Sequence, residues 1–239
     1  MVIFNERGKK MGKCKYYLKR KKQKPVAKDC YYKIYQSIIG NYLFYLTLLY
    51  CLYWLSLNKK YNSSYIQLLI SFFVASGIGY ICHYLSHFFK IRKYYSDCRN
   101  IFTENKYINS FLLKVVEGLE FHDRIHHDTK INKKWNNIFR EIIGNSLLEG
   151  VGLVLFIKFM DIRVILLWSL SYATIHNINY SIMPPTTHRD HHINKGTNYG
   201  YDLMDIIFNT QYNDKDIEIH NHGAINLFLV TWLLTAFFN

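Results

Sequence analysis

Eight of the eleven histidines in this 239-residue chain fall into three short groups. They are HYLSH (His83, His87), HDRIHH (His122, His126, His127) and HRDHH (His188, His191, His192), and His176 stands alone between the second and third. Residues three or four apart share one face of a helix, so H-x-x-x-H sets two imidazoles side by side and H-x-x-H-H sets three in one sector. Imidazole nitrogen suits iron, zinc, copper and nickel. A single histidine at a helix end is ordinarily a hydrogen-bonded surface or core residue. Eight gathered in an apolar chain need a common partner, because burying one such ring without one costs about 1–3 kcal/mol. Two first-row metals with three to five ligands each would use all nine. The H-E-x-x-H of zinc proteases is absent, and so is any C-x-x-C. The set therefore predicts a histidine-held pair of metals, the histidines serving as ligands and not as acid–base catalysts.

The elements that must carry these groups are apolar. Residues 37–57 hold no charge over 21 positions, enough to cross a hydrocarbon core of about 30 Å as a helix. No Lys, Arg, Asp or Glu occurs from Tyr61 to Phe89, nor from Val164 to Met183, and 146–157 is apolar apart from Glu149. This layout predicts an all-α integral membrane protein of about four transmembrane helices in two hairpins. Deeply buried soluble helices are the alternative. Between the hairpins, Ile108, Phe111, Leu112, Val115, Val116 and Leu119 recur at helical spacing, and the stripe continues to His122 and His126. The C-terminal block 224–238 is apolar but short, and the sequence leaves open whether it is re-entrant, interfacial or a further span.

Charge sets the sidedness. Residues 1–36 carry twelve Lys or Arg against two acids, part of a net charge of +13. A block of this kind beside a spanning helix keeps the N-terminus cytoplasmic and suits anionic head groups. No nucleic-acid-binding fold is visible to support the other use of such a run, and no small-residue cleavage site follows it. With the N-terminus inside, every histidine cluster falls on the cytoplasmic face, as a histidine-lined di-metal cap. The expected division is a basic segment over 1–36, a membrane-embedded catalytic domain over 37–210, and a C-terminal segment over 211–239 with a short apolar helix. The five cysteines, widely spaced, are expected as free thiols.

The order H-x3-H, H-x3-H-H, H-x2-H-H resembles the fatty acid hydroxylase/sterol desaturase superfamily of membrane enzymes over about residues 76–210. The most specific part is the tail: HRDHH, then Asn198-Tyr199-Gly200, Asp205, and FNT at 208–210. His176 with Tyr180 is similar to the H-x-x-x-Y near the end of the last span in sterol-type members. The resemblance implies a non-haem di-iron centre that uses O2 to hydroxylate or desaturate a fatty acyl chain or sterol in the endoplasmic reticulum. It implies His83, His87, His122, His126, His127, His176, His188, His191 and His192 as iron ligands. Electrons would come from a separate cytochrome b5 or ferredoxin-like partner, since no cytochrome b5-like segment is visible.

The second group departs from the pattern. Sterol-type members have H-x2-H-H there, so either His122 or Asp123 takes its first position. A looser likeness to the plasmanylethanolamine desaturases is carried by the same clusters. The rival class, a non-catalytic metal-handling or scaffold protein, would spread its ligands about the bilayer midplane with repeat symmetry. Asp202 and Asp205 are placed either to accept a hydrogen bond from a ligand's second N–H or to solvate a helix face. Asn198 to Gly200 read as a turn that closes the site, Gly77 and Gly79 as close helix packing, and His220 and His222 as outside the ligand pattern.

Overall fold

The computed structural model describes residues 27–87, 106–119, 139, 142–143, 152–153, 155–183, 185–194, 196–212 and 217–238. His122, His126 and His127, with Asp123, lie outside the described residues, as do Cys14 and Cys98. All the regular elements described are helical. In chain order they are α1 (Ala27–Gly40), α2 (Tyr42–Ser56), α3 (Tyr65–Ser86), α4 (Lys106–Leu119), α5 (Ile162–Thr174), α6 (Thr186–Ile193), α7 (Asp202–Phe208) and α8 (Ala224–Phe238).

Helices α2, α3, α5 and α8 pack as a bundle about one apolar core. Leu48, Leu52 and Leu55 of α2 meet Leu68, Phe72 and Ala75 of α3, Leu167 and Trp168 of α5, and Leu227, Val230 and Leu234 of α8. The packing is close where a side chain has been given up. A Cβ on Gly79 would sit 1.9 Å from Trp168 Cη2, so only glycine lets the indole lie across α3. Gly77 has nothing within 4 Å of a Cβ, and the expectation that both glycines serve packing is corrected to Gly79 alone.

The outside of the bundle is apolar too. Leu46, Tyr50 and Tyr53, then Ile66, Ile70 and Phe73, then Phe228, Trp232 and Leu233 are all exposed. Such an outer band of large apolar side chains in place of charged residues is consistent with a helical membrane protein. Two helices, Tyr65–Ser86 and the segment Asn221–Phe238, are long and apolar enough to cross a membrane, and a bent pair, Cys30–Gly40 with Tyr42–Ser56, makes a third candidate.

Two expected spans are redrawn, and the C-terminal block takes form as a helix. The stretch 37–57 is not one straight helix: it breaks at Asn41, and the segments on either side lie 75° apart. The cause is the buried Asn41 side chain, whose Nδ2 donates to Glu218 O at 2.8 Å and whose Oδ1 accepts from His220 N at 2.7 Å. The stretch 164–183 leaves α-geometry after Thr174 for a π-turn over Ile175–Asn179 and one α-turn at Tyr180–Ile182. It is the inner helix of the bundle, buried at Val164, Leu167, Trp168, Tyr172 and Ala173. The C-terminal block is helix α8, packed against α2 and α5, and the segment that contains it is long and apolar enough to cross a membrane.

The bundle has two distinct ends. At one, Arg163 donates from Nη1 to Leu55 O at 2.8 Å and pairs with Asp161, Ser63 donates to Asp161 at 2.7 Å, and Phe238 meets Tyr61 edge-on. The other holds the C-terminal halves of α3 and α5, short helices α6 and α7, and the starts of α2 and α8. Helices α2 and α8 thus run away from the second end, while α3 and α5 run toward it. The four-residue-spaced histidines of α3 therefore arrive where α6 begins. Helix α4 forms as the stripe predicts, and Ile108 and Phe111 of that stripe are exposed.

Candidate metal centre

Six of the nine predicted ligands are described, and all six meet at this end of the bundle. Three of them, His83, His87 and His191, form a nest whose ligand atoms lie close enough to share one ion, and His176, His188 and His192 form a looser second nest beside it. His83 and His87, one turn apart at the end of α3, stack at 5.2 Å between ring centroids, and His191 of α6 lies edge-on to both at 4.9 Å. The His83 and His191 Nε2 atoms are 3.2 Å apart, and one ligand atom from each of the three residues falls within 4.8 Å of the others. In the second nest, His188 and His192 of α6 bring their Nε2 atoms to 3.0 Å, and His176 lies 4.5 Å from His188, ring to ring. His83 and His176 stand 6.2 Å apart at the seam between the nests.

These separations suit a metal. Two nitrogens each bound at about 2.1 Å, with an angle between tetrahedral and square, lie about 3.0–3.4 Å from each other. Both measured Nε2 pairs match that spacing. The donor set also presents the right atoms. His191 Nδ1 lies 2.6 Å from the carbonyl oxygen of Thr197, and a carbonyl only accepts. The proton is therefore on Nδ1, and the Nε2 lone pair points into the nest. His83 has its Nδ1 3.1 Å from the Tyr172 hydroxyl, a group that can donate or accept, and its Nε2 turned to His191. Such outer partners fix ring orientation in metal sites. A buried histidine cluster able to hold a metal ion is thus a property of this end of the chain.

Local sequence builds each arm. Helix α6 starts straight after Pro185, and in its eight residues three are histidines; His191 is fully buried and His188 nearly so. The π-turn carries His176, and a widened turn of this type is common at functional positions. Tyr172, His176 and Tyr180 form one ladder on the inner face, with centroids 5.3 and 5.5 Å apart.

The tail motif closes the first nest. Tyr199 is buried, and its ring packs against His83, His87 and His191 at 5.9, 5.6 and 5.8 Å. Its turn is pinned from beneath by Asp205, which accepts from Tyr199 N at 2.8 Å, Gly200 N at 2.9 Å and Thr210 Oγ1 at 2.6 Å. Asn198 takes a left-handed φ of 53° and donates from Nδ2 to Thr187 O, tying the turn to α6. The FNT that follows completes the clasp. Phe208 stacks on Tyr80 at 4.6 Å, Asn209 ends α7 in left-handed geometry, and Thr210 bonds both Tyr80 and Asp205. Among the described residues no ligand ring donates to Asp205. Two backbone N–H groups and a hydroxyl occupy its oxygens, since the turn leaves those donors with no other buried acceptor. Burial raises the Asp205 pKa to about 7 despite these bonds.

A second polar group, which sequence reasoning missed, lies against the other nest. Glu218 accepts a hydrogen bond from the Tyr180 hydroxyl, and the Tyr180 ring lies 4.8 Å from His188. Burial first, and then the Asp202 and Asp205 carboxylates, push Glu218 up to about 8 against the opposing bond from Tyr180. His220 is not with the ligands. It sits fully buried among Phe44, Tyr45 and Tyr201, where burial drives its pKa down to about 3 and holds it neutral. His222 pairs through Nδ1 with Asn179 at 3.0 Å, outside both nests. Of these, only Tyr172 and Tyr180 had a usable signal in sequence, because their spacing of four on either side of His176 puts all three on one helix face.

No protein-family model matches the chain, and neither a curated protein nor a solved structure matches it.

Proposed function

We propose that this chain is a membrane-bound non-haem di-iron oxidoreductase that uses O2 to hydroxylate or desaturate a lipid, either a fatty acyl chain or a sterol. One observation carries the reading: six histidines from three segments far apart in sequence gather at one end of an apolar helical bundle, and three of them, His83, His87 and His191, lie close enough to share one ion. Paired histidine-rich sites with little carboxylate suit redox-active iron better than structural zinc, which favours four closed ligands with cysteine. The iron pair, when bound, supplies the reduction of O2 and the removal of hydrogen from an unactivated C–H bond.

The protein's share is to bind, orient and keep dry. His83, His87 and His191 would hold one ion and His176, His188 and His192 the other, with the ligands of HDRIHH completing the set. Thr197 and Tyr172 orient two of these rings by holding Nδ1, and the Thr197 carbonyl leaves the His191 Nε2 lone pair ready for a metal. Tyr199 and the apolar bundle wall exclude water from the first nest. Tyr180 keeps its hydroxyl proton directed to Glu218, away from His188. Helices α2, α3, α5 and α8 serve as crossings. The basic N-terminus places the histidine end on the cytoplasmic side of the endoplasmic reticulum, where a cytochrome b5 or ferredoxin-like donor delivers electrons.

The test is metal content together with lipid chemistry. The full chain is purified from membranes for iron analysis, and cells expressing it with a reductase are fed isotopically labelled O2 before lipid mass spectrometry. A labelled hydroxyl identifies a hydroxylase, and loss of two hydrogens without label a desaturase. Two irons per chain with no His188-dependent change in any lipid would leave a metal-handling protein. Absence of iron would sink the reading altogether.

A further inference from the structure

Helix α1 is amphipathic in the opposite sense to a soluble surface helix. Its outward residues, with the one after the bend, are Tyr31, Tyr32, Tyr35, Ile38, Ile39 and Tyr42, each between 43% and 76% exposed. At 100° per residue these six fall in one band roughly 120° wide. The opposite side is polar and turned inward. Ser37 and Asn41 are fully buried, α1 packs against α7, and Asn41 is bonded to the Glu218–His220 segment. In water, a band of four tyrosines and two isoleucines is an unfavourable surface. At a bilayer surface it is a stabilising one, because tyrosine places its ring at the acyl boundary and its hydroxyl among head groups.

Two further observations say what covers this face. The 75° bend turns α1 across the line of α2, and the band passes at Tyr42 directly into the exposed Leu43, Leu46 and Tyr50 of α2. The surface is thus continuous with the exposed apolar flank of the bundle. Charge is the other. Residues 1–26, immediately before α1, hold ten Lys or Arg against Glu6 alone, and Lys28 and Lys33 follow within the helix. Basic residues beside an inserted apolar face select anionic head groups.

We propose that α1 is an interfacial helix lying in the leaflet at the histidine end, with its tyrosine–isoleucine band among the acyl chains and its basic approach on anionic lipid. The occupant of the face is the anionic leaflet itself. Nothing in this depends on a metal or on the reaction, so it stands or falls apart from the proposed function. It also gives α1 a mechanical part: through Asn41 and α7 it ties the histidine end to a fixed depth in the leaflet.

Depth measurements on the full chain decide it. Trifluoromethyl-phenylalanine is placed at Tyr35, or at Lys60 in the opposite turn as control, and the protein is put in nanodiscs of phosphatidylcholine with or without phosphatidylserine. Fluorine relaxation is then read with a nitroxide on the lipid tails and, separately, with a water-soluble gadolinium chelate. The Tyr35 label is expected to relax with the tail nitroxide and to be several-fold less sensitive to the chelate than Lys60. Adding phosphatidylserine should lower its chelate sensitivity about two-fold or more, and high salt should reverse that gain. Sensitivity to the chelate equal to that of Lys60 overturns the proposal. Shielding from chelate without tail contact overturns it as well, and means a second copy or another protein covers the face. Equal depth in both disc types overturns the anionic preference.

Discussion

His83 and His191, separated by 108 residues of chain, face each other Nε2 to Nε2 at 3.2 Å. Neither ring can make this contact from its own segment, so the pair reports the docking of α6 on the end of α3. Replacing His191 by Ala should remove the bridging donor of the first nest and cut bound iron per chain by at least half, read by metal analysis of the purified protein. An unchanged iron content would show that this nest is not a ligand set.

The hydroxyl of Tyr172 holds His83 Nδ1 at 3.1 Å while its ring stacks on His176. Tyr172→Phe keeps the stack and deletes the bond. Loss of such an outer partner ordinarily weakens metal binding about 10–100-fold. Competition with a graded chelator should show a loss in that range, with the thermal midpoint of the metal-free protein little changed. Equal affinity in the two proteins would make Tyr172 a packing residue only.

Glu218 gives a pH dependence with a defined sign. Its folded pKa, about 8, is above its ordinary value of 4.5, so between those two values the folded chain holds a proton that the unfolded chain has released. Stability contributed by this group is therefore complete below about 4.5 and is lost as pH rises through about 8. Asp205, raised to about 7, adds a slope of the same sign and is untouched by substitution at 218. Glu218→Gln accepts the Tyr180 hydroxyl without ionising, so its thermal midpoint should gain on the wild type from pH 5 to pH 8. A difference independent of pH would refute the assignment.

The two glycines of α3 make a matched pair. Gly79→Ala drives a methyl into Trp168 and should destabilise the bundle by about 1–3 kcal/mol. Gly77→Ala meets open space and should be neutral or stabilising by about 0.5–1 kcal/mol, the ordinary preference for Ala over Gly in a helix. Thermal unfolding in detergent compares them, and similar losses for both would mean the indole does not lie over Gly79.

Much of the site was legible because histidine spacing and helix period coincide. His83 with His87, and His188 with His191 and His192, needed only the rule that residues three or four apart share a face. Apolar runs likewise marked α2, α3, α5 and α8. What stayed hidden depends on contacts between distant segments. The break at Asn41 is set by Glu218 and His220, on the far side of the chain, and no local signal separates Asn41 from an ordinary helical asparagine. The roles of Asp205 and Thr197 follow from backbone groups that point at them only once the Asn198 turn has closed. The inverted polarity of α1 was masked for another reason. The boundary drawn at residue 36 split its band, leaving Tyr31, Tyr32 and Tyr35 in the basic segment and counting Ile38, Ile39 and Tyr42 toward a span, when together they form a side.

The wide separation of the ligand-bearing segments also orders the protein's manufacture. Synthesis delivers α3 first, with His83 and His87, and the ribosome must add α5 and the Asn198 turn before His176, His191 and Thr197 can join them. A metal ion captured by the first pair alone would have two nitrogens and no closed nest. If a metal is bound there, its loading would belong after translation, on a bundle already assembled. From then on such an ion would act as a clasp between the early and late halves of the chain.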